Sequence, residues 1–172
     1  MSDLTTKRII LRAIVKSDAP AFAQLCNDEE LARNTARIPH PYTLDHAKGF
    51  VAYAEEARAS RTEFTFAVCE HGDIVACCGV RAMDGGTHEL GYWVGRDARG
   101  RGVATEAARA VVAFAFDTLG AREITAGHFA DNPASGRVLE KIGFVKTGET
   151  PDLFSLGRGG ESKTVRMALR RG

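Results

Sequence analysis

RDARGRGVATEAARA, Arg96 to Ala110, is the stretch on which the fold turns. Two glycines stand among three arginines, and an alanine-rich run follows directly. A helix N-terminus leaves backbone N–H groups unpaired and carries partial positive charge, so an anion placed there gains several hydrogen bonds at once. Gly100 and Gly102 allow positive φ and a close backbone approach, which wrapping a phosphate requires. Arg99 and Arg101 are expected to add charge, and Val103, Ala104 and Thr105 further N–H groups as the helix begins. A P-loop needs a GK[ST] triplet, which is absent here. A dinucleotide fingerprint needs a third glycine, where this chain has Thr105. A solvated basic turn entering a helix stays open as the plain reading of the loop alone.

Upstream, EFTFAVCE (Glu63–Glu70), DIVACCGVRAM (Asp73–Met83) and HELGYWV (His88–Val94) read as a three-strand meander with turns at His71-Gly72 and Asp84-Gly85-Gly86. Before them come a strand within RIILRAI (Arg8–Ile14) and a helix from Ala19 to Cys26 capped by Ser17-Asp18. A weaker helix spans Glu29–Ala36, IPHPY (Ile38–Tyr42) is a loop, and a helix runs from Thr43 to about Arg58. Downstream, a helix from Gly102 to Thr118 ends at Gly120. A strand, EITAGHFA (Glu123–Ala130), and a second helix in NPASGRVLEKIGF follow. Asn132 caps that helix, Pro133 opens it and Gly143 stops it. Phe144–Thr150 and Thr164–Leu169 are closing strands around a mobile-looking loop, LGRGGES (Leu156–Ser162). This order describes a mixed sheet with helices packed on it.

The 172 residues suit a single domain, 1–172, able to bury its own core. A net charge of +1 gives no global attraction to nucleic acid or anionic membrane. No apolar run approaches a membrane span, and MSDLTTKRIILRA lacks a signal peptide's apolar core. Cys26, Cys69, Cys77 and Cys78 have no metal-ligand spacing and read as small core residues of a cytoplasmic protein, with no metal.

With the second half included, the chain resembles the GNAT superfamily of acyl-CoA-dependent N-acyltransferases, in the RimJ/RimL-like branch of ribosomal-protein N-terminal acetyltransferases. The resemblance covers nearly the whole chain. TKRIILRAI with SDAPAF is similar to the branch's opening strand and helix, ELGYWVGRDARGRGVATEA to its fourth strand, pyrophosphate loop and central helix, and DNPASGRVLEKIGF to its second cofactor motif. Asp97 departs from the usual Gln/Arg at the loop's first position. The Arg99-x-x-Gly102-x-Ala104 frame also fits the pattern, and both frames place the phosphates on the same backbone. The resemblance implies an α/β (α+β) fold with a mostly antiparallel central sheet of about six to seven strands flanked by helices. It implies acetyl-CoA as co-substrate, its pyrophosphate on Gly100–Thr105 and its pantetheine along the free edge of Trp93 and Val94 like an added strand. Asn132 is then expected to bond the pantetheine as well as cap its helix.

The implied reaction is attack of a primary amine on the thioester. The tyrosine that many members use as acid is replaced by Leu139, and the resemblance makes Ser135 the proton donor to the thiolate. A local capping role for Ser135 is the alternative. Glu89 is the expected base, on the argument that partial burial raises a carboxylate's pKa. His88 and His128 are its rivals, and strand alternation puts His88 and Glu89 on opposite faces. Amine contacts are expected from Asn34–Tyr42 and the Leu156–Ser162 loop, for a peptide N-terminus or a small molecule. The alternative class is a non-catalytic acyl-CoA-binding module; the single RGRG and near-neutral charge disfavour an RNA binder. Members of the family often form homodimers, but no interface is legible in this sequence.

Overall fold

The computed structural model describes residues 2–171; Met1 and Gly172, the ends of the expected domain, lie outside them. The chain opens with β1 (Leu4–Thr5) and β2 (Ile10–Ala13), then α1 (Ala19–Cys26), α2 (Glu29–Arg33) and α3 (Leu44–Ala59). The meander β3 (Glu63–Glu70), β4 (Asp73–Ala82) and β5 (Thr87–Val94) leads into α4 (Val103–Asp117). β6 (Glu123–Phe129), α5 (Pro133–Lys141), β7 (Val145–Lys146), β8 (Asp152–Ser155) and β9 (Gly160–Arg170) complete it. The strands lie in the order β1-β2-β3-β4-β5-β6-β9-β7, with β8 paired to β9. Every pairing is antiparallel except β5 with β6.

Strand alternation divides the apolar residues between two layers. Phe64, Phe66 and Val68 of β3 pack under α4 with Val111 and Phe114. Ala67 and Cys69 of the same strand face α1 and α3, among Phe22, Ala47, Val51 and Ala54. Phe114 takes both Phe64 and Phe66 edge-on at 5.5 Å. All four cysteines are buried and free.

The parallel pairing of β5 with β6 is short. It joins Thr87, His88 and Glu89 to Glu123, Ile124 and Thr125 and then stops. β5 continues to Val94 bonded to β4 on one side, and β6 continues to Phe129 bonded to β9 on one side. Their facing edges therefore diverge into a wedge with backbone groups unpaired across it.

Three expectations are corrected. The sheet has nine strands rather than six or seven. The additions among the described residues are β1 and β8, and the strand expected from Phe144 to Thr150 contracts to β7, Val145–Lys146. Second, Asp18 makes no side-chain cap for α1; its carboxylate takes Arg12 at 2.8 Å and the Val15 amide at 2.9 Å. Third, the mobile-looking Leu156–Ser162 loop is a tight hairpin turn between β8 and β9. The Ser155 hydroxyl donates to the Thr35 carbonyl at 2.7 Å, and the Leu156 amide to the Ala36 carbonyl at 3.0 Å.

Candidate active site

The pyrophosphate-loop candidate begins with a 3-10 turn, Arg96–Ala98, whose Ala98 is buried. Gly100 (φ 72°) and Gly102 (φ 82°) are both left-handed, the conformation that glycine adopts without a Cβ penalty. Between them they turn the chain into α4, whose first residue, Val103, is anchored in the core. The first α4 amide bond runs from Glu106 back to Gly102. Among the described residues, no carbonyl or side chain accepts from the N–H groups of Gly100 to Thr105. Six consecutive donors are thus left at the positive end of a fifteen-residue helix.

The loop arginines do not add free charge as expected. Arg99 pairs with Asp28 and Glu30, each at 2.7 Å, and donates to the Val94 carbonyl at 3.2 Å. Arg96 reaches Asp28 at 3.3 Å, and Arg101 pairs with the buried Glu70. The electrostatics of the loop are therefore carried mainly by its backbone dipoles. Arg8, absent from the sequence reading, supports the turn by donating to the Arg101 carbonyl at 2.9 Å while pairing with Glu106. That contact spans ninety-three positions and has no local signal.

Trp93 and Val94 lie on the part of β5 that runs past its pairing with β6. The indole belongs to the α1–α3 core, edge-on to Phe22 at 5.8 Å, and the Trp93 backbone pairs with Cys77 of β4, so the edge facing the wedge here is that of Val94. Across the wedge, Asn132 caps α5 by accepting from the Ser135 amide at 3.4 Å. Leu139, in the position of the missing tyrosine acid, is fully buried.

Ser135 occupies the first turn of α5, and its hydroxyl lies 2.8 Å from the hydroxyl of Tyr92. Tyr92 also reaches the Ser135 carbonyl at 3.1 Å. Burial pushes this phenol up to about 12, against the lowering effect of the Ser135 hydrogen bond. Sequence reasoning missed Tyr92, although alternation places it on the α4–α5 face, opposite Trp93. Beneath the same turn, His128 bonds the Phe129 carbonyl through Nδ1 at 2.8 Å. A carbonyl only accepts, so Nδ1 carries a proton. Nε2 is buried without a partner against Gly136, where a Cβ would lie 2.7 Å from it.

Glu89 sits at the closed end of the wedge, in the last β5–β6 pair. Its Oε1 accepts from Arg166 at 2.8 Å and its Oε2 from Arg81. Burial alone would raise its pKa, but the hydrogen bonds and charges of Arg166 and Arg81 outweigh this and hold it below the ordinary glutamate value. The raised pKa expected for a base is thus corrected to a lowered one, and both oxygens are engaged. His88 lies on the other face, its Nδ1 buried without a partner.

The two segments expected to meet the amine come together. Arg158 of the hairpin pairs with Asp131 at 2.7 Å, donates to the Arg33 carbonyl at 2.7 Å and lies 4.3 Å over the Phe129 ring. Arg158, with help from Arg33 and against slight desolvation, lowers the Asp131 carboxyl to about 2. A cleft of about 400 Å³ opens here, lined by Glu29, Arg33, Gly157, Arg158, Glu161 and Ser162. Among the described residues there is no cluster of metal-ligating side chains, and no helix is long and apolar enough to cross a membrane.

Residues 8–145 match the family model described as "Acetyltransferase (GNAT) domain". The chain is 30% identical over 152 residues to the uncharacterized N-acetyltransferase YoaA of Bacillus subtilis, covering 84% of each chain. It is 28% identical over 154 residues to the uncharacterized N-acetyltransferase p20 of Bacillus licheniformis, covering 86% of this chain and 85% of that one. Its fold matches RimL, a ribosomal alpha-N-protein acetyltransferase solved with coenzyme A, with a TM-score of 0.87 at 16% identity over 98% of each chain.

Proposed function

The chain belongs to the GNAT acetyltransferase family and is an enzyme of that class, and from there we propose that it transfers an acetyl group from acetyl-CoA to a primary amine. The run of six unpaired amides, Gly100 to Thr105, beside the unpaired edge of β5 carries this reading. The amides match a diphosphate in number and in polarity, and nothing lies within 4 Å of where a Cβ on Gly100 would stand. The edge at Val94 offers its N–H to a pantetheine arm, while the Val94 carbonyl is held by Arg99, with Asn132 on the α5 side of the wedge.

Acetyl-CoA supplies an activated thioester. The amine nitrogen bonds to the acetyl carbon, the carbon–sulfur bond breaks, the nitrogen gives up a proton and the sulfur gains one. Ser135 donates towards the departing sulfur from the first turn of α5. Glu89, with both oxygens held by arginines, has a structural role, and proton removal from nitrogen falls to water. That favours an α-amine, with a pKa of about 8, over a lysine near 10.4. The similarity to RimL, whose own acceptor is a protein α-amine, points the same way. The acceptor class is therefore a peptide N-terminus or a small molecule with a comparably weak amine.

Calorimetric titration of acetyl-CoA into wild type and Gly102→Val tests the carrying observation. Val at φ 82° is strained, and its Cβ would stand 3.4 Å from Nη2 of Arg8, the arginine that supports the turn. Micromolar binding by wild type, lost in a variant that keeps its fold, is the expected result; no binding by wild type overturns the reading. Thiol release with a panel of α-amino peptides, lysine and polyamines then separates an enzyme from an acyl-CoA-binding module.

A further inference from the structure

We propose that Tyr92 is a positioning residue for Ser135, holding the serine hydroxyl so that its own hydrogen is directed at the leaving sulfur. The assignment rests on the acetyl-transfer reading above. A serine in the first turn of a helix commonly bonds its hydroxyl to local backbone groups. Here Asn132 already accepts from the Ser135 amide, and the hydroxyl has one hydrogen-bond partner among the described residues, Tyr92 at 2.8 Å. The two residues are forty-three positions apart and come from different elements, so the contact crosses from β5 to α5 at the wedge.

The hydrogens allow two arrangements: Tyr92 donates to the Ser135 carbonyl and accepts from the Ser135 hydroxyl, or it donates to the Ser135 hydroxyl oxygen, and positioning of the serine uses the second. Tyr92 has one hydroxyl hydrogen and two acceptors in reach, the Ser135 carbonyl at 3.1 Å and the Ser135 hydroxyl oxygen at 2.8 Å. When Tyr92 donates to the hydroxyl oxygen, the serine hydrogen must point elsewhere, and it is polarised by the bond its oxygen accepts. Burial keeps the phenol protonated throughout the neutral range, so the donor does not titrate away. The seat beneath the turn is closed by His128 against Gly136, which leaves α5 little room to shift and lengthen the contact. A free serine rotor samples three wells; Tyr92 selects among them.

The test is a kinetic cycle of Tyr92→Phe, Ser135→Ala and the double variant, read by thiol release with the best acceptor of wild type. Tyr92→Phe is expected to lower kcat about tenfold, a part of the range general acids contribute. KM for acetyl-CoA should stay within about twofold, because the ring and the backbone edge are kept. The double variant should be no slower than Ser135→Ala alone. Additive losses, a loss confined to KM, or a wild-type rate in Tyr92→Phe would overturn the assignment. Should Tyr92→Phe misfold, 3-fluorotyrosine at position 92 retains ring and hydroxyl with a more acidic phenol. The alkaline fall of kcat should then begin at lower pH than in wild type, and an unmoved profile overturns the assignment. Thiol release by wild type separates failure of this assignment from failure of the acetyl-transfer reading.

Discussion

Glu89 and Ser135, proposed above for scaffolding and for proton donation, differ in what surrounds them. Glu89 accepts from two guanidiniums, and its lowered pKa leaves it a weak proton acceptor. Glu89→Gln should hold kcat/KM within about threefold, far less than the 10²-fold that loss of a working base would cost. It should also lower stability by about 1–2 kcal/mol, because Arg81 and Arg166 lose a half-buried partner. Ser135→Ala should do the reverse, with kcat down about 10²-fold and the unfolding midpoint nearly unchanged. Thiol-release kinetics and thermal melts on the two variants check both. The sequence pointed to Ser135 and Glu89 as residues but could not weigh Glu89. Its pKa depends on Arg166, seventy-seven positions away.

The meander β3–β5, helix α4 and helix α5 were legible because their signals are local. Alternation over eight or ten residues, two left-handed glycines before α4 and Asn132-Pro133 opening α5 all fall within one window. β1 was not, since two residues carry no period, and β7 was read at Phe144–Thr150 but is only two residues long. The Leu156–Ser162 stretch looked mobile from its glycines, but its partners are distant: Ser155 and Leu156 bond the Thr35 and Ala36 carbonyls, and Arg158 holds Asp131 and the Arg33 carbonyl. The wedge itself was implied by resemblance; nothing in the pattern of β5 or β6 says where their pairing stops. The seating of α5 has a direct test. A Cβ at Gly136 would stand 2.7 Å from His128 Nε2, so Gly136→Ala should cost about 1–3 kcal/mol in urea unfolding. Adding His128→Ala should recover much of that loss, because it removes the ring that the methyl group strikes.

Across the whole molecule, Asp18, Asp28, Glu89, Glu106 and Asp131 all have lowered pKa values. Burial opposes the shift at most of them, and their arginine partners outweigh it. A carboxylate lowered in the folded state stabilises it fully above the unfolded value, about 3.9 for Asp and 4.3 for Glu, and ceases to as pH falls through the folded value. Stability is therefore expected to be level from about pH 7 to 5 and to fall steeply below about pH 4, with Asp131 holding out to about 2. Urea unfolding across that range measures it. The arginines of the proposed cofactor loop carry one further consequence. Asp28, Glu30 and Glu70 act as counter-ions built into the fold, standing where dissolved anions would otherwise gather. An incoming diphosphate displaces little of the ionic atmosphere, so its affinity should scarcely change between dilute buffer and strong salt.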